Sequence, residues 1–202
     1  MTLPFLKLHL LGRPLSFTEA IKTINHKKME TLTKTIWNVD KDHSEITFKV
    51  KHMMISTVTG HFDDFTITVE ADDDTFNDAS IRFSAKTASI NTKNEQRDAH
   101  LKSNDFFNAE EHSDLTFASK SFDGETLIGD LTIKGVTREV KLATEFNGVA
   151  VDPYGQTKAG FELSGELNRK DFGLTWNAVT EAGNIVVSDT VKLQLAVQLI
   201  KA

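Results

Sequence analysis

The sequence contains no cysteine, and this absence removes several kinds of site at once. Disulfide bonds, thiolate nucleophiles and cysteine-ligated zinc or iron–sulfur centres are all excluded. The chain also has only one tyrosine and two tryptophans, against fourteen phenylalanines. Because phenylalanine carries no polar group, an interior rich in this residue suits packing and hydrocarbon contact better than recognition by hydrogen bonds.

The chain has fewer positive than negative side chains, with 23 lysines and arginines against 29 aspartates and glutamates. The formal net charge of −6 argues against a nucleic-acid backbone or an anionic membrane surface as the main partner. The sequence has no run of about 18 apolar residues, so no membrane-spanning helix is predicted.

The first 32 residues lack the regular pattern of the rest of the chain. A secretory signal needs an unbroken apolar stretch followed by a small-residue cleavage site. Here Lys7, His9 and residues 12–14 interrupt the apolar stretch. We therefore expect no signal peptide and a cytoplasmic location. We interpret residues 1–32 as an N-terminal extension that is poorly ordered or an artefact of the chosen start, and residues 33–202 as the folded domain.

From Ile36 onward, apolar and polar residues alternate, which is typical of half-buried β-strands. Lys134-Gly135 marks a tight hairpin, and Asp63-Asp64 marks a bend. About eight to nine such strands, with no helices between most of them, predict an antiparallel all-β fold. The clearest alternation is at the C-terminal end, with apolar residues Val191, Leu193, Leu195, Val197 and Leu199.

Long strands with one continuous apolar face favour a closed barrel, because closure removes exposed strand edges. We predict an eight-stranded antiparallel barrel with a short helix near one mouth. Such a barrel is either filled by its own side chains or holds one small ligand, and the residues alone leave both open. The predicted apolar cavity positions are Phe48, Val50, Phe65, Ile67, Phe83, Phe106, Phe107, Phe117, Leu131, Leu142, Phe146, Phe161, Leu163, Leu193 and Leu195.

One helical segment, NTKNEQRDAHLKSNDFF at residues 91–107, interrupts the strands. Thr92 and Glu95 have the spacing of a capping box, which predicts a helix that begins at Lys93. The segment ends in two phenylalanines that are directed at the apolar interior. We therefore interpret it as a lid over one barrel mouth.

Three polar residues are candidate contacts to a ligand head: His52, Arg97 and His100. His52 shares an inward strand face, where an imidazole needs a polar partner. Arg97 has forked donors that suit a phosphate, pyrophosphate or quinone oxygen. The structural alternatives are a hydrogen bond of His52 to backbone or to a neighbour at the mouth, and an ion-pair network of Arg97 and His100 with Asp98 or Asp105 that holds the helix.

The sequence has no motif that indicates catalysis or metal binding. His-x-His, His-Glu-x-x-His, a nucleophile elbow and a phosphate loop are all absent. The acidic segment ADDDTFND at residues 71–78 lacks the alternating ligands and the glycine of a calcium loop, so we interpret it as a solvated turn. We expect no enzymatic activity, no catalytic residue, no metal and no cofactor.

The segments WNVDKDHSEITFKVKHMMISTVTGHFDDF, RDAHLKSNDFF, GDLTIKGVTREVKL and DFGLTWN together resemble the YceI-like proteins, and the resemblance covers residues 36–200. It implies a lipocalin-like barrel of bacterial type that encloses a polyisoprenoid chain, with the ligand head near one mouth. Many members carry a secretory signal, and the expected location of this chain departs from that pattern.

The resemblance and the residues together predict a non-catalytic protein that carries or sequesters a long isoprenoid lipid or quinone. A homodimer is compatible with the sequence, and nucleic acid is not an expected partner. Two alternatives stay open. One is a solid-cored, stress-induced scaffold barrel without a ligand, and the other is a haem- or metal-binding enzyme.

Overall fold

The structure is a computed structural model that describes residues 34–77, 79–178 and 186–202, with the backbone of two residue pairs nearer the N-terminus. The chain divides into two units, Met1–Thr33 and Lys34–Ala202. In the first unit, strand β1 (His9–Leu10) pairs with strand β2 (Arg13–Pro14). The prediction of a poorly ordered or artefactual extension otherwise falls outside the described residues.

The second unit forms one antiparallel sheet with a single α-helix among the described residues. Its strands are β3 (Thr35–Val39), β4 (Glu45–His52), β5 (Ser56–Phe62), β6 (Phe65–Ala71), β7 (Ser80–Lys86), β8 (Ile90–Asn91), β9 (Asp114–Phe122), β10 (Thr126–Ile133), β11 (Val136–Val151), β12 (Thr157–Asn168) and β13 (Val187–Lys201). The helix is α1 (Glu95–Lys102), and short 3-10 turns cover Lys41–His43, Thr87–Ser89 and Arg169–Phe172.

The sheet closes on itself through its last strand. One edge of β13 pairs with β12, and the other edge pairs with β3 and then β4. Elements β3 and β4 together act as one long strand with a break, and so do β5 with β6 and β7 with β8. The reason is that β6 pairs with both β3 and β7, while β5 pairs with both β4 and β8. Counted in this way, eight antiparallel strands surround the interior. The predicted eight-stranded barrel with one short helix is confirmed.

The three strand breaks lie side by side, and Lys41 Nζ in the break after β3 donates to an Asp64 carboxylate oxygen at 3.2 Å. The Asp63 amide donates to the Ser89 carbonyl at 3.1 Å, and the Lys86 amide donates to the Asp64 carbonyl at 2.9 Å. The predicted bend at Asp63-Asp64 is therefore present. The breaks divide the barrel into two ends, which we name by their contents. The Trp37 end contains β3 and β6, and the helix end contains β4, β5 and α1.

The hairpin between β10 and β11 turns at the two residues that the sequence indicated. Ile133 and Val136 are directly paired, and Lys134 and Gly135 both have positive φ, of 50° and 73°. Two successive residues in the left-handed region match the right-handed twist of the strands, and glycine adopts that region without a steric penalty. The predicted hairpin is confirmed.

Alternation along the strands directs one apolar face of each strand into the barrel. On β10, Leu127, Leu131 and Ile133 are buried, while the polar residues between them are more exposed. Gly60 has a specific part in this packing, because a Cβ at that position would overlap the Phe48 ring of the neighbouring strand. No helix of the described residues is long and apolar enough to cross a membrane.

Candidate functional site

The interior of the barrel contains an apolar cavity with a free volume of about 220 Å³. Its lining comes from strands on all sides of the barrel and from the helix end. Strand β13 contributes six lining residues between Val187 and Leu199. At about 3.3 Å per residue and a strand tilt near 40°, this lining extends roughly 30 Å along the barrel axis.

The polar lining of this cavity is sparse. Only Thr47, Thr144 and Arg169 contribute polar side chains among the described residues that line it. The Thr47 hydroxyl donates to the Gln194 carbonyl, and Arg169 has its own partners. The buried Oγ1 of Thr144 has no hydrogen-bond partner in the described structure. The cavity therefore offers a surface of carbon with a single unpaired hydroxyl.

The structure places most of the predicted apolar set on the cavity wall. The thirteen that line it are Phe48, Val50, Ile67, Phe83, Phe106, Phe107, Phe117, Leu131, Leu142, Phe161, Leu163, Leu193 and Leu195. The other two, Phe65 and Phe146, do not line it.

Phe65 and Phe146 leave the cavity wall for different reasons. Phe65 is buried, but it begins β6 directly after the Asp63-Asp64 break, where the strand changes direction. Phe146 lies next to a register shift before Gly148, near the rim, and its side chain is partly exposed. Both corrections concern irregular strand positions, where strict alternation does not hold.

Aromatic rings fill the Trp37 end of the barrel. Phe76, in the loop after β6, packs against Trp37 at a centroid distance of 4.9 Å and against Phe161 at 5.0 Å. Phe146 adds a contact to Phe76 at 5.6 Å and stacks on Phe161 at 4.9 Å. Trp37 is 0% exposed and Phe76 is 1% exposed. This end is built like a protein core.

The helix end is covered by α1 and by the two phenylalanines that follow it. Phe106 is buried and Phe107 is partly buried, and both rings line the cavity. Phe107 meets Phe62 edge to face at 6.3 Å. Leu101 also lines the cavity, although no residue of α1 is fully buried. The helix is therefore a thin cover over the apolar interior.

The start of the helix differs from the predicted capping box. The N-cap is Asn94, whose side chain accepts a hydrogen bond from the Arg97 amide at 2.9 Å. Lys93 has a φ of 62°, so the chain reverses there and the helix begins at Glu95. Thr92 is buried and is bound instead by Asp98, which accepts from its backbone amide at 2.9 Å.

Arg97 also binds Thr92 rather than a carboxylate. Its Nε donates to the Thr92 hydroxyl and its Nη2 donates to the Thr92 carbonyl, both at 2.7 Å. Of the alternative ion-pair network, the His100–Asp105 contact is present, whereas Arg97 forms these bonds to Thr92 instead. They fasten α1 to the end of β8, while the side chain stays exposed. A role of Arg97 at a ligand head stays a prediction.

His100 belongs to an aromatic contact at the helix end. Its Nε2 lies 3.1 Å from a carboxylate oxygen of Asp105, and its ring meets Trp176 edge to face at 4.7 Å. Phe106 completes the group, 5.1 Å from His100 and 5.2 Å from Trp176. The group joins α1 to the segment after β12.

His52 ends β4, opposite Ser56 on β5 and Val187 on β13. The β13 register shifts just beyond this point, between Val187 and Val191, while β4 stays in regular register with β5 through the half-buried His52. None of the described cavity-lining residues is His52, Arg97 or His100. The structure brings Arg97 and His100 together on α1, and their binding roles, like that of His52, stay predictions.

Arg169 is a residue of this end whose importance the sequence did not indicate. It is buried and lines the cavity, and burial lowers the pKa of its guanidinium while Asp189 opposes that shift. All five of its N–H groups have acceptors. The acceptors are the carbonyl oxygens of Leu174, Trp176, Val187 and Ser188, at 2.6 to 3.3 Å, and a carboxylate oxygen of Asp189 at 3.4 Å.

A second polar cluster lies at the level of the strand breaks. Asp40 is buried and accepts hydrogen bonds from Lys158 at 2.8 Å and Gln198 at 2.9 Å, with a His43 ring nitrogen at 3.0 Å. The bond from the Lys158 ammonium is the largest cause that lowers the pKa of Asp40 to about 2. The same contact raises the pKa of Lys158. The cluster joins β12 and β13 to the break after β3.

The acidic turn at residues 71–78 forms local hydrogen bonds. The Asp73 carboxylate accepts from the amide and the hydroxyl of Thr75, which together lower the pKa of Asp73. Asp74 pairs with Lys201 at 2.9 Å. Among the described residues, no group of three histidines, aspartates or glutamates has the arrangement of a metal site.

Comparisons with known proteins agree on one family. The model of the YceI-like domain matches residues 37–199. UPF0312 proteins of Staphylococcus aureus and Staphylococcus epidermidis are 39% identical over 165 residues, which cover 81% of this chain and 96% of each relative.

Solved structures share the fold. The YCEI protein of Campylobacter jejuni is 34% identical, with a TM-score of 0.64 over 81% of this chain and 96% of that one. BcnA of Burkholderia cenocepacia is 20% identical, with a TM-score of 0.67 over 79% of this chain and 98% of that one. A domain from Saccharophagus degradans, described as polyisoprenoid binding, is 13% identical, with a TM-score of 0.62 over 82% of this chain and 98% of that one.

Proposed function

This chain belongs to the YceI-like family, and from that membership we propose that it carries or sequesters a long isoprenoid lipid or quinone without catalysing a reaction. The observation that carries the proposal is the cavity wall, which is carbon along nearly its whole length. A wall of this kind rewards hydrocarbon burial and gives little recognition of polar groups. The ligand class is that named for the Saccharophagus degradans domain.

The energetics favour a ligand with a long apolar tail. Burial of one methylene contributes about 0.8 kcal/mol, so fifteen sheltered carbons would contribute roughly 12 kcal/mol. Association and ordering cost at least about 4 kcal/mol, which leaves an affinity near micromolar. A long tail supplies enough carbon to bind without any strong polar contact.

The cavity volume sets a condition on uptake. At about 220 Å³ it is smaller than the roughly 300–1,000 Å³ of most ligand pockets, so a long tail requires side chains to move. The partly buried rings of Phe48, Phe83 and Phe107 are suited to this movement, because less packing holds them than holds a fully buried ring. Phe107 and the thin cover of α1 support an entrance at the helix end.

Two finer parts of the proposal concern the ligand head and the compartment. A head held at the helix end would lie near His52, Arg97 and His100, and two of the guanidinium donors of Arg97 already bind Thr92. Thr144 Oγ1 is a second polar atom available to a ligand oxygen, inside the cavity. The cytoplasmic location stays a prediction from the N-terminal residues.

The test is native mass spectrometry of the protein purified from its own host, followed by organic extraction of the same sample. We expect a bound mass in a one-to-one complex and a polyprenyl compound or isoprenoid quinone in the extract. A protein that carries no ligand, and that does not take up a long-chain polyprenol added afterwards, would contradict the proposal and support the scaffold alternative. A stoichiometric haem or metal would support the enzyme alternative.

A further inference from the structure

The turn between β4 and β5 exposes three consecutive apolar residues at the helix end. Met53 is 41% exposed, Met54 is 60% exposed and Ile55 is 83% exposed. Both methionines have positive φ, of 50° and 60°. A hairpin turn in this conformation usually has asparagine or glycine, and exposed large apolar residues are not what its backbone prefers. We call residues 53–55 the apolar tip.

The charges on the hairpin that carries the apolar tip are positive, in contrast to the net charge of the protein, and the nearby Asp189 is already paired with Arg169 and Lys170. Residues 46–62 contain Lys49 and Lys51 and no aspartate or glutamate. Lys51 Nζ donates to the Thr57 hydroxyl of the same hairpin, and this hydrogen bond does not neutralise the charge of Lys51. Lys192 on β13 is the cross-strand neighbour of Lys49, and it pairs with Glu166 at 3.2 Å. An apolar tip beside unneutralised lysines is complementary to an anionic lipid surface.

The apolar tip is directly connected to the wall of the cavity. The Met53 amide donates to the Val186 carbonyl at 2.8 Å, and the next residue, Val187, lines the cavity. On the other side of the tip, Val50 also lines the cavity. A surface that contacts the tip therefore lies at the same end as the thin cover of α1.

The hairpin at the other end of the barrel provides an internal comparison. The β11–β12 turn also exposes apolar residues, Val151 at 67% and Tyr154 at 91%. Its nearby cation, Lys158, is already paired with Asp40 and Asp152, and Asp152 lies within the turn. This turn is apolar but carries no free positive charge of its own, and the aromatic Trp37 end lies beneath it.

We propose that the apolar tip inserts into the surface of a lipid bilayer with anionic headgroups, so that the helix end faces the membrane when the ligand is exchanged. The proposal rests on the proposed function for its purpose, since it specifies the source of the ligand. Three partly inserted side chains and the two lysines of the hairpin give weak, reversible contact rather than anchoring. A carrier that leaves the membrane again needs contact of this strength.

The experiment is vesicle flotation with the full chain and two variants. The tip variant is Met54→Ser with Ile55→Ser, and the matched control is Val151→Ser with Tyr154→Ser; all four side chains are exposed, so both variants keep the fold. The vesicles contain equal amounts of phosphatidylethanolamine and phosphatidylglycerol, and vesicles of phosphatidylcholine alone serve for comparison. We expect the tip variant to lose about tenfold in partitioning to anionic vesicles and the control to change less than about twofold.

A second measurement separates this inference from the proposed function. Transfer of a long-chain polyprenol from the vesicles should slow in the tip variant, while equilibrium binding of polyprenol added from ethanol should stay unchanged. If no polyprenol binds to any form, the proposed function fails, and flotation still tests the tip. Equal flotation of parent and tip variant overturns the inference, and so does a tip variant that changes only the sedimentation coefficient, because the tip would then contact a second copy of the chain.

Discussion

The two ends of the barrel close the same cavity with different structures, packed aromatic rings at one end and a short helix at the other. At the Trp37 end, four aromatic rings form contacts at centroid distances of 4.9 to 5.6 Å, and Trp37 and Phe76 are almost inaccessible to solvent. At the helix end, an eight-residue helix without a fully buried residue lies over Phe106 and Phe107. Hydrogen bonds from Arg97 to Thr92 fix the helix, and Arg169 binds the segment that carries Trp176, which packs on Phe106.

The difference indicates which end is able to open. Separating closely packed rings loses many dispersion contacts and exposes much apolar area at once. Lifting a short helix exposes less apolar area and breaks a few hydrogen bonds, some of which water replaces. We therefore expect the Trp37 end to determine stability and the helix end to determine exchange of the ligand.

The largest expected effect is at the Trp37 end. Phe76→Ala should lower the free energy of unfolding by about 4 kcal/mol, because it removes a fully buried ring that touches three others. Urea unfolding measures the loss, and Tyr154→Ala, at a residue that is 91% exposed, is the control. A loss below about 1 kcal/mol would mean that this end is not the packed one.

The next largest loss of stability is expected at Arg169, because its hydrogen bonds hold together the segments of the helix end. Arg169→Met should cost about 3 kcal/mol, since four carbonyl oxygens lose their donor inside the protein. Hydrogen exchange of the Leu174 amide should accelerate with it. The control is Arg138, an exposed arginine that contributes little to the structure. Its Nη1 donates only to the carbonyl of its neighbour Thr137 among the described residues. Similar losses of stability for both arginines would show that Arg169 does not stabilise the helix end in particular.

The Asp40 cluster lies between the two ends and predicts a pH dependence. The folded-state pKa of Asp40 is lowered, mainly by Lys158, from 3.8 to about 2. Its stabilisation is therefore complete above about pH 4 and is lost as the pH falls from about 4 to about 2, with a size of roughly 2 kcal/mol. Asp40→Asn should show less loss of stability than the parent between those pH values. Parallel pH profiles of the two proteins would show that Asp40 is not the responsible group.

The smallest expected loss of stability is at Phe107, where the effect on ligand release should be largest. Phe107→Ala removes a ring that is only partly buried, so the free energy of unfolding should fall by about 1 kcal/mol. Release of a bound fluorescent polyprenol should become faster, because this ring covers the cavity from the helix end. If Phe76→Ala accelerates release and Phe107→Ala does not, the ligand exits at the Trp37 end.

The barrel was predictable because its signal is local. Alternation places side chains on one face of a strand regardless of which strand is its neighbour, so the strand faces and the Lys134-Gly135 hairpin followed from short stretches of residues. The same rule placed Phe65 and Phe146 on the cavity wall, and it failed there because one follows a break and the other precedes a bulge. Such irregularities depend on pairing between distant strands.

The polar part of the helix end was not predictable in the same way. Arg169 is followed by Lys170, and such a pair usually indicates a solvated surface. Its burial depends on the carbonyl oxygens of Leu174, Trp176, Val187 and Ser188, which only the folded chain brings together. At the start of α1, Thr92 had the sequence of a cap, but the left-handed Lys93 moved that role to Asn94.

The central claim is that the barrel interior binds an isoprenoid tail, and equilibrium binding of a long-chain polyprenol to three forms of the chain tests it most directly. Leu193→Trp enlarges a residue that lines the cavity, and Lys192→Trp makes the same addition one position away, on the exposed face. We predict strong binding by the parent and by Lys192→Trp, and at least tenfold weaker binding by Leu193→Trp with the fold retained. Equal binding by all three forms, or none by the parent, would contradict the claim.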